Sequence, residues 1–151
     1  MTTKPFDYEA LLSTTPTRWR ELGLHWHCYT WRGTGEEWDD EAQRQDPSSS
    51  LPPTAVRGWL GKPARMMRAV EHTPESAVAW LCAQWTPLTP DALHGDPEGF
   101  LTSETRWRLA LYDLRSGVDL YWTLWTTGPS LHAFAVIGTS TPCHPTWSRA
   151  R

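Results

Sequence analysis

Tryptophan content is the feature that most constrains this chain, because 11 of its 151 residues are Trp. An indole ring is large, costs free energy when water surrounds it, and carries one N–H group that needs a partner when buried. Such a density predicts either an aromatic core or an aromatic binding surface. A chain of this length can bury a substantial core within one domain. We therefore expect a single domain over residues 1–151 with most tryptophans inside.

The charge distribution separates one segment from the rest of the chain. The net charge is −3, from 14 basic and 17 acidic residues, so no basic field predicts a nucleic-acid partner. Residues 33–50 are polar, end in a Pro-Ser run and are predicted to form a flexible acidic loop around Trp38. In this loop Arg44 is the only cation beside the acids Glu36, Glu37, Asp39, Asp40, Glu41 and Asp46.

Cysteine usage and hydropathy predict a cytoplasmic protein. Cys28, Cys82 and Cys143 are scattered and suggest no disulfide framework. The first twelve residues lack the apolar stretch of a secretory leader, and no apolar run approaches the ~20 residues of a membrane span. We therefore expect no membrane partner. Arginine strongly outnumbers lysine and asparagine is absent, a bias that GC-rich bacterial codons would give.

Helix-start signals dominate the first two-thirds of the chain. Thr15-Pro16 and Thr73-Pro74 each place a capping hydroxyl before a proline, a combination typical of a helix N-terminus. They predict a short helix ending at Gly23 and a longer one over residues 75–85. Further helices are predicted over residues 6–12 and 63–70, and a strand in the latter part of the aromatic stretch 22–31.

The C-terminal third predicts an antiparallel β-meander followed by an irregular tail at residues 140–151. Residues 106–113, 118–126 and 131–138 are predicted to be its three strands, and the two connectors between them have hairpin length and contain glycine. The fold class is therefore α+β, with N-terminal helices and one strand packed on this meander. That order of elements resembles the cone-shaped fold of nuclear transport factor and the small polyketide cyclases. The resemblance implies a curved sheet and helices that enclose a pocket, and it transfers no catalytic residue.

Four-residue hairpin loops would divide the meander into two faces. One face is uniformly apolar and is expected to be the core. The other mixes aromatic rings with Arg and His, a composition typical of interfaces and ligand pockets. We predict a partner- or ligand-binding surface there, with a second core face or a homodimer interface as the alternatives. The candidate binding residues are Arg106, Tyr112, Tyr121, Trp125, His132 and Phe134, together with Trp38 of the acidic loop.

His25 and His27 are the metal-ligand candidates. Residues i and i+2 of a strand point to the same side, so both imidazoles could reach one ion. A third ligand could come from Cys143-His144, His132 or an acid. No zinc-motif spacing accompanies the pair, and packing is the commoner role of histidines in an aromatic strand. No metal and no cofactor is therefore predicted.

Signatures of catalysis are lacking in the sequence. It contains no Gly-x-Ser-x-Gly elbow and no phosphate-binding loop, and only His132 with Asp119 and Tyr121 offers an acid–base arrangement. The expected function is a non-enzymatic interaction module of a bacterial accessory system, of the immunity, inhibitor or adaptor type. Its partner would be another protein or a second copy of itself. The alternative is a cone domain that binds a small hydrophobic ligand, with cyclase or isomerase activity.

Overall fold

The computed structural model describes residues 3–93 and 103–143. Within these residues the chain forms six α-helices and four antiparallel strands. The class is α+β, as the sequence predicts. Short 3-10 helices follow at Val56–Gly61, Ala64–Met66 and Thr86–Asp91. The main elements are α1 (Tyr8–Leu12), α2 (Arg18–Glu21), β1 (His25–Gly33), α3 (Gly35–Asp39), α4 (Glu41–Gln45), β2 (Met67–Glu71), α5 (Pro74–Trp85), α6 (Ser103–Arg115), β3 (Leu120–Thr126) and β4 (Ser130–Thr139).

The sheet is open, with strand order β2-β1-β4-β3. The β1 strand pairs with β4 from His25↔Thr139 to Gly33↔Leu131, which makes these two strands the centre of the sheet. All residues of β4 after Ser130 are buried. A strand covered on both faces needs apolar residues at successive positions, and the run from Ala133 to Ile137 supplies them.

Of the two predicted helix-start signals, Thr73-Pro74 is confirmed and Thr15-Pro16 is wrong, because α2 begins at Arg18 after Thr17, whose side chain makes no capping hydrogen bond. Thr73 accepts a hydrogen bond from the Ser76 backbone N–H, and Pro74 is the first residue of α5. Gly23 has a φ of +64°, the left-handed conformation that follows many helix C-termini, directly after α2. The predictions of a helix over residues 6–12 and of a strand within 22–31 are confirmed by α1 and β1.

The predicted first strand of the meander, residues 106–113, is wrong, because this segment lies within α6. Its buried side chains, Ala110 and Leu114, are spaced at i and i+4, as on one face of a helix. The supposed hairpin turn is the helix C-cap. Val118 N–H donates to the Asp113 carbonyl and Gly117 N–H to the Leu114 carbonyl, which is the Schellman pattern.

Gly117 has a φ of +83°, so its role is to end the helix in the left-handed conformation. Val118, the first residue of the predicted strand 118–126, therefore lies outside the sheet and is half exposed.

The predicted helix at residues 63–70 is also wrong. A 3-10 turn at Ala64–Met66 leads directly into β2, which pairs with β1 through His27↔Val70 and Cys28↔Ala69. Pairing with an aromatic strand outweighs the weak helix preference of this segment.

The hairpin between β3 and β4 is confirmed, but its register differs from the prediction by one residue. Thr126 pairs with Ser130 rather than with Leu131, so the loop has three residues instead of four. Because side chains alternate along a strand, this shift moves every β4 residue to the opposite face relative to β3. His132 and Phe134 thus share a face with Leu124 and Trp122 instead of with Tyr121 and Trp125.

Residues 33–50, predicted as a loop, contain the helices α3 and α4. A capping box at Thr34 and Glu37 begins α3, and the Asp40 side chain caps α4. The acids of this segment therefore act partly as helix-start residues. Of the predicted irregular tail, residues 144–151 lie outside the described part of the chain.

Both faces of the sheet are covered, and this makes two apolar cores. The helix-side core is formed by α5, α6 and one face of the sheet: Trp26, Cys28, Ala77, Leu81, Trp85, Ala110, Leu114, Leu120, Leu124, Phe134 and Val136. The second core lies on the other face: Tyr29, Trp59, Met66, Met67, Val70, Ala133, Ala135 and Ile137. None of the ten tryptophans in the described residues is exposed, as the composition predicts. Within the described residues no helix is long and apolar enough to cross a membrane.

Candidate metal centre

Three potential metal ligands converge at one edge of the second core. The Nε2 atoms of His25 and His27 are 3.1 Å apart, and the Cys143 Sγ lies 3.1 Å from the first and 3.3 Å from the second. All three side chains are partly exposed. We refer to them together as the His-His-Cys centre. It is the one group of three or more such ligands found among the described residues.

Strand geometry places the two histidines, and sheet topology brings the cysteine to them. His25 and His27 are two residues apart on β1 and point to the same side of the sheet, as the sequence predicts. The β4 strand ends at Thr139, which pairs with His25. The chain then turns, with Thr141 N–H donating to the Thr139 hydroxyl, and reaches Cys143 beside the histidines.

The electrostatics of the centre favour neutral imidazoles, the form that binds metal. Burial, with a smaller contribution from His25, lowers the pKa of His27 to about 4. Burial also lowers the pKa of His25, with a smaller contribution from His72, whose ring centroid is 5.9 Å away. At neutral pH both Nε2 lone pairs can therefore be offered to a cation.

The spacing of the donor atoms suits a tetrahedral ion. Zinc–nitrogen bonds of about 2.05 Å and a zinc–sulfur bond of about 2.3 Å imply tetrahedral N–N and N–S separations of roughly 3.3 and 3.6 Å. The observed separations of 3.1 to 3.3 Å are within about 0.5 Å of these values. A planar arrangement of the same ligands needs longer separations and fits less well. The donor set, two imidazoles and one thiol, is one that Zn²⁺ accepts.

A cleft of about 390 Å³ adjoins the centre. His27 and Cys143 border it, and so does Tyr29, which is only 3 % exposed. The Tyr29 hydroxyl bonds to none of the described residues, and burial, with Cys28 and Cys143 nearby, raises the pKa of Tyr29. The remaining walls are largely apolar: Leu60, Ala64, Met67, Pro142 and the stem of Lys62, with Thr139 and Thr141.

The other two cysteines are not part of the centre. Cys28 points to the helix-side core and is fully buried, and burial strongly raises the pKa of its thiol. Cys82 lies on α5, where its thiol is 3.5 Å from the Thr86 hydroxyl. All three cysteines are free thiols. Only Cys143 combines a reachable thiol with neighbouring imidazoles.

The predicted binding face does not exist as one surface. Tyr121, Trp125 and Trp38 lie on the side of the second core, whereas Phe134 belongs to the helix-side core and His132 shares its face. Arg106 and Tyr112, expected on a strand, are on α6. The one-residue register shift and the helix at 103–115 together divide the set.

The aromatic members near the acidic segment are packed against each other. Trp38 contacts Tyr121 edge to face, with ring centroids 6.4 Å apart, and the Arg44 guanidinium carbon lies 3.7 Å from the Trp38 ring centre. The Tyr121 hydroxyl donates to the Pro53 carbonyl, and its ring contacts Trp59. These rings therefore close the second core.

The acid–base arrangement suggested around His132 is not formed. His132 is 9 % exposed, its Nε2 is 3.1 Å from the Thr126 hydroxyl, and its ring stacks on Phe134. Asp119 instead accepts a bond from the Gly138 N–H and pairs with Arg57. Both residues have structural partners.

A second cleft, of about 380 Å³, lies between α6 and β3. Arg106 projects over two indoles there, with its guanidinium carbon 5.6 Å from the Trp85 ring centre and 5.8 Å from that of Trp122. Asp113 also lines the cleft, and burial raises its pKa.

Sequence reasoning found the histidine pair but not the cleft. Cys143 was one of several possible third ligands, and no local pattern singles it out, because its sequence separation from His25 is 118 residues. Tyr29 continues the same strand side as His25 and His27, and that alternation was the available signal. His144, the other neighbour considered, lies outside the described residues. Comparison with protein-family models, curated proteins and solved structures finds no match, so neither the cone-fold resemblance nor any family assigns a role to these residues.

Proposed function

We propose that this chain is a metal-binding protein that takes one divalent transition-metal ion of the zinc class. His25, His27 and Cys143 supply the three protein ligands. The observation that carries the proposal is the mutual approach of their donor atoms, all three pairs within 3.3 Å. A fourth coordination position is left for water or another ligand, as in zinc sites that have three protein ligands.

The charges of the donor set support a stable complex. Two neutral imidazoles and one thiolate leave a bound divalent ion with a net charge of +1, which is easier to hold at a half-buried position than an uncompensated +2. The thiolate also favours Zn²⁺ over Mg²⁺ or Ca²⁺, which prefer oxygen ligands. Free thiols at all three cysteines agree with a reducing, cytoplasmic environment, which we expect for this protein.

Metal titration with ligand variants tests the proposal. Apo-protein is titrated with Zn²⁺ against a competing chelator, and with Co²⁺, whose spectrum reports the ligands. We expect one ion per chain and a thiolate-to-cobalt charge-transfer band. His25→Ala, His27→Ala and Cys143→Ser should each weaken binding by about 100-fold or more, since each removes a direct ligand.

His72→Ala is the matched control, because His72 neighbours His25 but its donor atoms lie outside the His-His-Cys centre. It should change the affinity for Zn²⁺ by less than about threefold. Loss of a residue that hydrogen-bonds to a metal ligand costs about tenfold or more, so a smaller change is expected of a residue with no role in binding. Substoichiometric binding, or a cobalt spectrum that is the same in Cys143→Ser, would overturn the proposal.

Protein interaction through the acidic segment is the second candidate function. The Arg44 guanidinium donates to the carbonyls of Trp38, Pro52 and Pro53, each at 3.0 Å. Lys62 donates to the carbonyls of Arg44 and Asp46. The basic groups are thus used internally, while exposed acids face outward from α3 and α4, an arrangement that favours docking of a basic protein surface. The exposed acids are Glu36, Glu37, Asp39, Asp40 and Glu41.

Native mass spectrometry of the protein, purified gently from its own host, tests this second function. We expect a polypeptide other than this chain to be retained at fixed stoichiometry. The triple variant Glu36→Lys, Asp39→Lys, Glu41→Lys should lose it. Glu104→Lys, on α6, is the control and should keep the partner. Retention that survives the triple charge reversal would exclude the acidic segment as the docking surface.

A further inference from the structure

We propose that the cleft beside the His-His-Cys centre binds a small monocarboxylic acid, whose carboxylate takes the fourth coordination position of the metal. The inference rests on the proposed metal-binding function and identifies the class of ligand that completes the site. One carboxylate oxygen displaces the water on the metal. The second oxygen accepts a hydrogen bond from the Tyr29 hydroxyl, and the apolar body of the acid lies along the cleft wall.

The position of Tyr29 is the first argument. Its ring is stacked on Trp59 with centroids 5.0 Å apart, so the side chain is held firmly in the second core. Its hydroxyl bonds to none of the residues that the structure describes, although only 3 % of the residue is exposed. Because Tyr29 borders the cleft, this O–H group can donate to an acceptor bound there, and a carboxylate oxygen is such an acceptor. Tyr29 lines the same cleft as two of the metal ligands.

Charge is the second argument. The complex of a divalent ion with two imidazoles and one thiolate carries a net +1, which favours an anion at the fourth position, and the stem of Lys62 borders the cleft. The Lys62 ammonium already donates to two carbonyls and to the Ser49 hydroxyl, so all three of its protons are used inside the protein. Lys62 is therefore not a ligand-binding group, and the metal and Tyr29 make the direct contacts with the carboxylate.

Size and wall chemistry are the third argument. A volume of about 390 Å³ is at the lower end of the range for small-molecule sites. Leu60, Met67 and Pro142 give the cleft apolar walls that a short hydrocarbon chain can cover. A hydrated inorganic anion would leave these walls in contact with water, so an amphipathic acid fits them better.

The experiment uses the Co²⁺-loaded full chain and three probes: acetate, butyrate and hexanoate. Each is titrated while the visible cobalt spectrum is recorded. We expect a change in the cobalt bands on binding and an affinity that rises by about fourfold for each methylene buried. n-Butylammonium, which has the same chain and the opposite charge, should leave the spectrum unchanged.

Tyr29→Phe separates the role of the hydroxyl from that of the metal. It should weaken butyrate binding by about tenfold or more, because a hydrogen bond to a charged group is lost, and should change Co²⁺ affinity by less than about threefold. Tyr112→Phe, on α6, is the matched control and should bind butyrate as wild type does. The chain-length series in the wild-type protein tests the cleft independently of any variant.

The possible results distinguish the two proposals. Cobalt bound with a thiolate band but insensitive to all three acids would show a complete coordination sphere. It would overturn the carboxylate inference and leave the metal site standing. Equal affinities for acetate and hexanoate would also overturn it, because the apolar wall would then play no part. Failure to bind Co²⁺ at all would instead overturn the metal-binding function.

Discussion

Gly33 shows how tightly individual residues are fitted on the second core. A Cβ atom at this position would overlap the indole of Trp31 and lie 2.9 Å from a Glu37 carboxylate oxygen. Trp31 packs against Trp38, so the ring cannot move away without losing that contact. Gly33→Ala should therefore destabilise the protein by about 1 to 3 kcal/mol, measured by urea unfolding.

Gly61→Ala is the control, since a Cβ there has no neighbour within 4 Å. It should change the free energy of unfolding by less than about 1 kcal/mol. Equal effects of the two substitutions would show that the Trp31 ring does not confine residue 33.

His132 makes stability depend on pH. Burial lowers its pKa, and Arg32 lowers it further, so the folded protein binds this proton less readily than the unfolded chain. Stability is then fully present above the ordinary pKa of about 6.5 and is lost as the pH falls below it. His132→Gln, measured with chelator present between neutral and mildly acidic pH, should lose less stability on acidification than wild type. The same pH slope in both proteins would contradict this role.

At the scale of elements, the sequence predicted those with local start and stop signals and misassigned those decided by long-range pairing. Thr73-Pro74 fixes the start of α5 by hydrogen bonding within a few residues. The alternation Arg106-Trp107-Arg108-Leu109 imitates a strand, although Ala110 and Leu114 give α6 its buried stripe. Gly117 suits either a hairpin or a helix C-cap, because both need a positive φ.

One residue in a hairpin loop decided which aromatic side chains meet. The Thr126↔Ser130 pair places His132 opposite Leu124, and a pairing shifted by one would place it on the other face of the sheet. Loop length of three or four residues is not resolved by the composition of the turn, so the predicted binding face combined residues from both sides. The alternation along β1 does not depend on a loop, and for that reason the shared side of His25 and His27 was predictable.

The acidic segment holds together through Arg44, and this can be tested at the level of α3 and α4. Its guanidinium makes three hydrogen bonds to backbone carbonyls at 3.0 Å while it covers the Trp38 ring. Lysine lacks the planar fork and cannot make all three. Arg44→Lys should reduce stability by about 1 to 3 kcal/mol and speed amide exchange across α3 and α4.

Arg65→Lys serves as the control, because Arg65 is an exposed residue of the 3-10 turn before β2. It should change stability by no more than about 0.5 kcal/mol. Unchanged exchange in Arg44→Lys would mean that the segment is held by its other contacts.

For the molecule as a whole, the His-His-Cys centre joins two distant parts of the chain. It links β1 to the segment that follows β4, since His27 and Cys143 are separated by 116 positions in the sequence. The sequence offers no spacing motif for such a site, since only the pairing of β1 with β4 brings Cys143 to the histidines. Local periodicity can place two ligands on one strand, and the third depends on the complete topology.

A metal ion that makes this link must stabilise the whole fold, because it binds the native chain and the ligands are far apart in the unfolded one. At free Zn²⁺ about 100-fold above the dissociation constant, the expected gain is about 2.7 kcal/mol. For a domain of this size that corresponds to a rise in Tm of about 5 to 11 °C. Thermal unfolding followed by circular dichroism, with Zn²⁺ or with chelator, measures the shift. Cys143→Ser should abolish it, whereas Cys82→Ser, which changes a thiol on α5 away from the centre, should retain it. A rise of equal size in Cys143→Ser would mean that zinc stabilises the protein elsewhere and that the link between β1 and the chain after β4 contributes nothing.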